Sequence, residues 1–97
     1  MAKIVFAEPA LEDLRRIRSF YAGDADRGQA RIAAIREAIS ILAHHPVMGR
    51  PADDVRRELV ISRGKHRFLA LYRYVPQREH VRILRIRHQR ELGYPTR

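Results

Sequence analysis

The spacing of apolar residues changes once along this chain, near Pro46, and that change restricts the fold more than any other feature. Before it, apolar residues recur at three- and four-residue steps. After it they come in short runs rich in Val, Ile, Leu, Phe and Tyr. The first pattern is the stripe of an amphipathic helix, and the second belongs to strands.

The first half resolves further. Lys3-Ile4-Val5-Phe6 is a short β-favouring run that leads into Glu8-Pro9, where proline near the first helical position opens a helix. From Pro9 to about Ala22, Leu14, Ile17 and Tyr21 form a stripe, extended by Ala10 and Leu11. Gly23 then stops the helix, and Asp24 or Asp26 caps the next one. The second helix carries Ile32, Ile35, Ala38, Ile39 and Leu42 on one face and ends at His44-His45-Pro46.

Val47-Met48-Gly49-Arg50-Pro51 reads as a loop. Residues 55–61, 66–75 and 80–87 read as three strands, separated by turns at Ser62-Arg63-Gly64 and Val75-Pro76-Gln77-Arg78. The expectation is an α+β fold in one domain over residues 1–97. An N-terminal strand is followed by an antiparallel two-helix hairpin and a three-stranded antiparallel meander, with the helices on one face of the sheet.

Strand alternation places Phe68, Ala70, Tyr72 and Tyr74 on one face and Leu69, Leu71 and Arg73 on the other. In the last strand it sets Leu84 and Ile86 against Ile83, Arg85 and Arg87. The face away from the helices is then a partly apolar concavity rimmed by arginine. Tyr21, Phe68 and Tyr72 are read as core between hairpin and sheet.

Composition excludes several classes. The chain has 97 residues and no cysteine, so disulfides and thiolate metal sites are absent and nothing points to an oxidising compartment. Met1 to Phe6 lacks the apolar run of a signal peptide, and no stretch is apolar enough to span a membrane. A soluble, cytoplasmic protein is expected.

The net charge is +9, and only Lys3 and Lys65 among the basic residues are lysine. Residues 1–49 carry seven basic and six acidic groups, whereas residues 50–97 carry thirteen and five, so the positive field belongs to the second half. Such a field attracts nucleic acid, the ribosome or an acidic protein without choosing among them.

The order strand, helix, helix, three strands occurs here with Ala10-Leu11-Glu12-Asp13-Leu14, Pro46-Val47-Met48-Gly49-Arg50, Arg57-Glu58-Leu59, Leu71-Tyr72 and Ile83-Leu84-Arg85-Ile86-Arg87-His88-Gln89-Arg90. Over nearly its whole length the chain resembles the RelE/ParE toxin superfamily of type II toxin–antitoxin systems, in its ParE-like, plasmid-stabilisation branch. The resemblance implies a cognate antitoxin, ParD-like or similar, a hetero-oligomer with it, and a toxin dimer as an open alternative. It also implies one of two activities. ParE-like members bind DNA gyrase and stop it from resealing DNA; RelE-like members cut mRNA in the ribosomal A site.

RNA cleavage by 2′-hydroxyl attack needs a proton acceptor, a proton donor and cations for the phosphorane charge. Interferases resembling RelE keep an arginine three residues before the tyrosine matched here by Tyr72, and this chain has Leu69 there. The lysine pair of some interferases has no counterpart beyond Lys65. Those departures favour gyrase inhibition, with no catalytic residue and no cofactor. Should the chain be an interferase, His88, Arg90 and Tyr94 are its candidate catalytic groups.

Arg57, Arg73, Arg85, Arg87 and Arg90 are the expected target-contact residues, although strand-end arginines also serve simply to solvate a small basic domain. Gly49 and Arg50 are expected to shape the loop, with Arg50 held by Asp53 or Asp54. His88 has an equally simple reading as a partly buried ring bonded to a backbone carbonyl. Adjacent His44 and His45 point apart at a helix end, and no metal site is expected.

Overall fold

The computed structural model describes residues 1–91. Its elements in chain order are strand β1 (Lys3–Phe6), helix α1 (Glu8–Ser19), helix α2 (Ala25–Ser40), strand β2 (Arg50–Pro51), strand β3 (Arg57–Arg63), strand β4 (His66–Val75) and strand β5 (His80–His88). Pro9 lies in the first turn of α1. Of the two candidate caps, Asp24 is the one used: its side chain accepts from the Arg27 backbone N–H at 3.1 Å.

The expected meander is present, since β3 pairs with β4 and β4 with β5, each antiparallel. The sheet is larger than expected, however, with five strands in the order β1-β5-β4-β3-β2. The N-terminal strand joins it parallel to β5, Lys3 opposite His80 and Phe6 opposite Ile83. Part of the predicted loop is also a strand, because Arg50 and Pro51 pair with Glu58 and Arg57. Proline has no N–H to give a ladder, so it is tolerated here only because β2 is an edge.

The helical hairpin covers one face. Ile17, Ile35, Ile39 and Leu42 pack on Phe68, Ala70, Tyr72, Val81, Ile83 and Ile86, all of them buried. Tyr21 is only half-buried and lines a cleft at the edge of this layer.

Ile83 and Ile86 both reach this core although three positions separate them. The pairing of β4 with β5 slips between Leu71 and Tyr72, which makes Leu84 an extra residue on β5. A bulge of this kind breaks the two-residue alternation. It overturns the sequence reading that set Ile83 and Ile86 on opposite faces.

The other face is not an open concavity. Leu69 and Leu71 are 4% and 8% exposed. Long side chains flank them in register, Arg87 beside Leu69, and Glu58 and Arg85 beside Leu71. Stems of such residues cover apolar surface while their charged ends stay in water.

Candidate functional site: strand-end arginines and a histidine cleft

β1 ends at Phe6, level with Ile83, so among the described residues no strand lies beside this edge of β5 beyond Ile83. Helix α1 takes over there. The Asp13 carboxylate accepts the Ile86 backbone N–H at 2.8 Å, and the Arg16 guanidinium donates to the Ile86 carbonyl at 3.1 Å. One helix thus satisfies both main-chain groups that a neighbouring strand would have met.

Asp13 is 3% exposed and acts as the hub of a larger network. Arg85 donates to it through Nε at 2.8 Å and Nη2 at 3.1 Å. Arg16 bridges Asp13 to Glu91, whose other oxygen accepts the His88 backbone N–H at 3.2 Å. Arg87 donates to the Glu91 carbonyl at 2.7 Å. The end of β5 is therefore clamped to α1 by charge-assisted bonds.

This geometry divides the five arginines expected at a target surface. Arg85 is engaged with Asp13, and Arg57 holds the β2 segment by donating to the carbonyls of Val47 and Gly49 at 3.2 and 2.8 Å. Arg87 lies along the β5 end. Arg73 and Arg90 are exposed. Arg73 sits opposite Arg82, and Arg67 shares its face of β4. Arg67 and Arg82, both exposed, extend the positive surface beyond the residues singled out in the sequence.

Gly49 and Arg50 shape the loop by means that the sequence did not show. The Gly49 N–H donates to the Tyr72 hydroxyl at 2.8 Å. Arg50 pairs with Glu58 at 2.8 Å rather than with Asp53 or Asp54. Asp53 instead bonds Arg56, which together with the amides of Val55 and Arg56 lowers its carboxyl from 3.8 to about 2.

His88 is joined by a residue the sequence reading did not single out. Strand pairing brings His66, at the start of β4, beside the end of β5, with His66 Nδ1 3.4 Å from His88 Nε2. The signal available was positional: His66 follows the Gly64 turn, and a meander returns that point to the end of the last strand. The backbone N–H of Arg90 donates to His88 Nδ1 at 3.1 Å. That nitrogen therefore carries no proton, and the neutral ring has its hydrogen on Nε2, directed at His66.

Burial lowers the pKa of both histidines from 6.5, aided for His66 by Arg31 and for His88 by Arg90. Folding thus favours the neutral rings. That contribution is complete above about pH 6.5 and is lost as pH falls through the lower folded values. Both imidazoles should titrate with midpoints below 6.5 in side-chain NMR spectra. A midpoint at or above that value for either ring would contradict the arrangement.

Tyr94 lies outside the described residues, so its relation to His88 and Arg90 is not part of this geometry. Among the described residues no group of three or more His, Cys, Asp or Glu is placed to hold a metal. None of the helices there is long and apolar enough to cross a membrane.

Residues 4–93 match the family model for the ParE toxin of the type II toxin–antitoxin system parDE. The chain belongs to the ParE toxin family. The fold of this ParE-family toxin is similar to that of a chain from the chromosomal ParDE toxin–antitoxin system of P. aeruginosa, with TM-score 0.75 and 24% identity over 91% of this chain and 96% of that one. It is also similar to a chain of the intact E. coli RelBE toxin–antitoxin complex, with TM-score 0.61 and 13% identity over 100% of both. A metal-bound toxin from Helicobacter pylori gives TM-score 0.53 and 16% identity over 96% of this chain and 100% of that one. At these identities the likeness is one of fold. Among curated proteins, none matches.

Proposed function

We propose that this ParE-family toxin arrests growth by inhibiting DNA gyrase in the cytoplasm, without catalysing a reaction itself. A ParD-like antitoxin neutralises it through an extended, partly acidic segment that folds on binding. The observation that carries the reading is the state of His88. Both of its ring nitrogens are engaged within the chain, one by the Arg90 amide and one by His66, which leaves neither for a 2′-hydroxyl. Leu69, buried in the sheet, stands where interferases resembling RelE keep an arginine. Of the predicted contact residues, Arg73, Arg90 and Arg87 meet the target, while Arg57 and Arg85 hold the surface in shape.

Pulse-labelling within minutes of inducing the toxin without antitoxin tests this. DNA synthesis should fall first, and purified toxin should make gyrase accumulate cleaved DNA. If protein synthesis falls first, the toxin is a ribosome-dependent mRNA endonuclease using His88, Arg90 and Tyr94. If growth is unaffected, it only binds its antitoxin.

A further inference from the structure

Strand alternation sends four cations to the sheet face that the helices leave open. Phe68, Ala70 and Tyr72 point into the core, so Arg67 and Arg73 on β4 point away from it. Arg82 lies between the buried Val81 and Ile83, and Lys3 precedes Ile4, which packs against the core. All four cations are exposed. They occupy three adjacent strands, and Arg67 and Arg73 by themselves span roughly 20 Å of β4.

Arg73 stands directly opposite Arg82. Like charges in that position repel one another and weaken a sheet. Among the described residues no carboxylate is paired with either of them. Glu58, the acidic strand residue on this side, is already held by Arg50 at 2.8 Å. A like-charged pair that nothing in the fold neutralises points to an anion from outside.

Two features of the face select that anion. Leu69 and Leu71, at its middle, are nearly covered, so it lacks the apolar centre around which protein interfaces form. Phe68, Tyr72 and Tyr74 all lie on the core side of β4, so the bases of a single strand find no ring of that strand to stack on. What remains is a broad cationic surface rich in guanidinium groups, which grip phosphate through paired hydrogen bonds. A duplex backbone is met by charge of this kind, without regard to sequence.

We propose that this face binds the phosphate backbone of duplex DNA, with Arg73 and Arg82 closing on one phosphate and Arg67 and Lys3 meeting phosphates to either side. The inference deepens the gyrase reading and rests on it only for the use of the contact: the DNA held by Arg73 is the DNA on which gyrase acts.

Fluorescence anisotropy of the intact toxin with short labelled duplexes of two unrelated sequences, between about 0.05 and 0.2 M salt, tests the assignment. Both duplexes should bind alike, and more tightly than their single strands. Arg73→Gln and Arg82→Gln should each weaken binding roughly tenfold and lower the salt dependence by about one released ion. Each variant relieves a like-charge contact, so neither should melt below the parent. Arg18→Gln removes the same charge from the exposed side of α1 and should change affinity less than about twofold. Equal losses for all three variants would reduce the site to general attraction by a basic protein and overturn it, as would tighter binding of single strands. Capture of an acidic peptide through Arg73 and Arg82, with no binding of duplex, would overturn it in favour of a protein partner. A toxin that fails to bind duplex yet still makes gyrase accumulate cleaved DNA would overturn this site and leave the gyrase reading standing.

Discussion

Asp13→Ala is expected to destabilise the toxin by about 3 kcal/mol, because it removes charge-assisted hydrogen bonds and leaves a buried backbone N–H without its acceptor. The substitution strips Arg85 of its bidentate partner and leaves the Ile86 N–H unmet at an edge that β1 does not reach. For a domain of this size the melting temperature should drop on the order of 15 °C in a thermal scan followed by circular dichroism. Asp13→Leu combined with Arg85→Met should recover part of the loss, since well-packed apolar residues often replace a buried pair without cost. A single-mutant loss below about 1 kcal/mol would show that water or a neighbouring group meets these partners instead.

The second large effect is expected at Gly49. A Cβ added there would lie 2.7 Å from Tyr72 Cε1, 2.7 Å from the Tyr72 hydroxyl and 2.9 Å from the Glu58 carbonyl. Tyr72 is fully buried and Glu58 O is backbone, so nothing flexible can yield. Gly49→Ala should therefore cost about 2–3 kcal/mol through overpacking and loosen the β2 segment. Tyr72→Phe leaves the space alone and removes only the hydroxyl that accepts the Gly49 N–H, so it should cost about 1 kcal/mol. Urea denaturation of the two variants separates these terms; a Gly49→Ala protein as stable as the parent would place the clash elsewhere.

Much of the fold was legible because it depends on local pattern. The two helices, the Asp24 cap and the three-strand meander each follow from spacing within a few residues. What was not legible depends on distant partners. Lys3 to Phe6 announce a strand, but their neighbours at His80 to Ile83 lie at the far end of the chain. The bulge near Leu84 erases the alternation that would reveal which face Ile83 takes. Gly49-Arg50-Pro51 carries loop residues, yet its two paired residues form a strand because an edge tolerates proline.

The candidate site shows the same division. Arginine clustering marked the basic half, but sequence cannot tell an arginine facing solvent, such as Arg73, from one bound to a carboxylate on another element, such as Arg85. Asp13 is not one of the apolar stripe residues of α1, and only the end of β1 makes it the hub of the network. His66 became visible once β4 and β5 were in register.

The placement of β5 between β1 and β4 bears on how the toxin comes into being. The last of the five strands in chain order lies inside the sheet, and it carries Val81, Ile83 and Ile86 into the core. A nascent chain that has not yet produced residues 80–88 offers β1 nothing to pair with and leaves the apolar side of the hairpin half covered. Closure of so non-local a contact is slow compared with helix formation. During that interval β1 and the open side of the hairpin stay exposed, so the fold is completed only after β5 has been made.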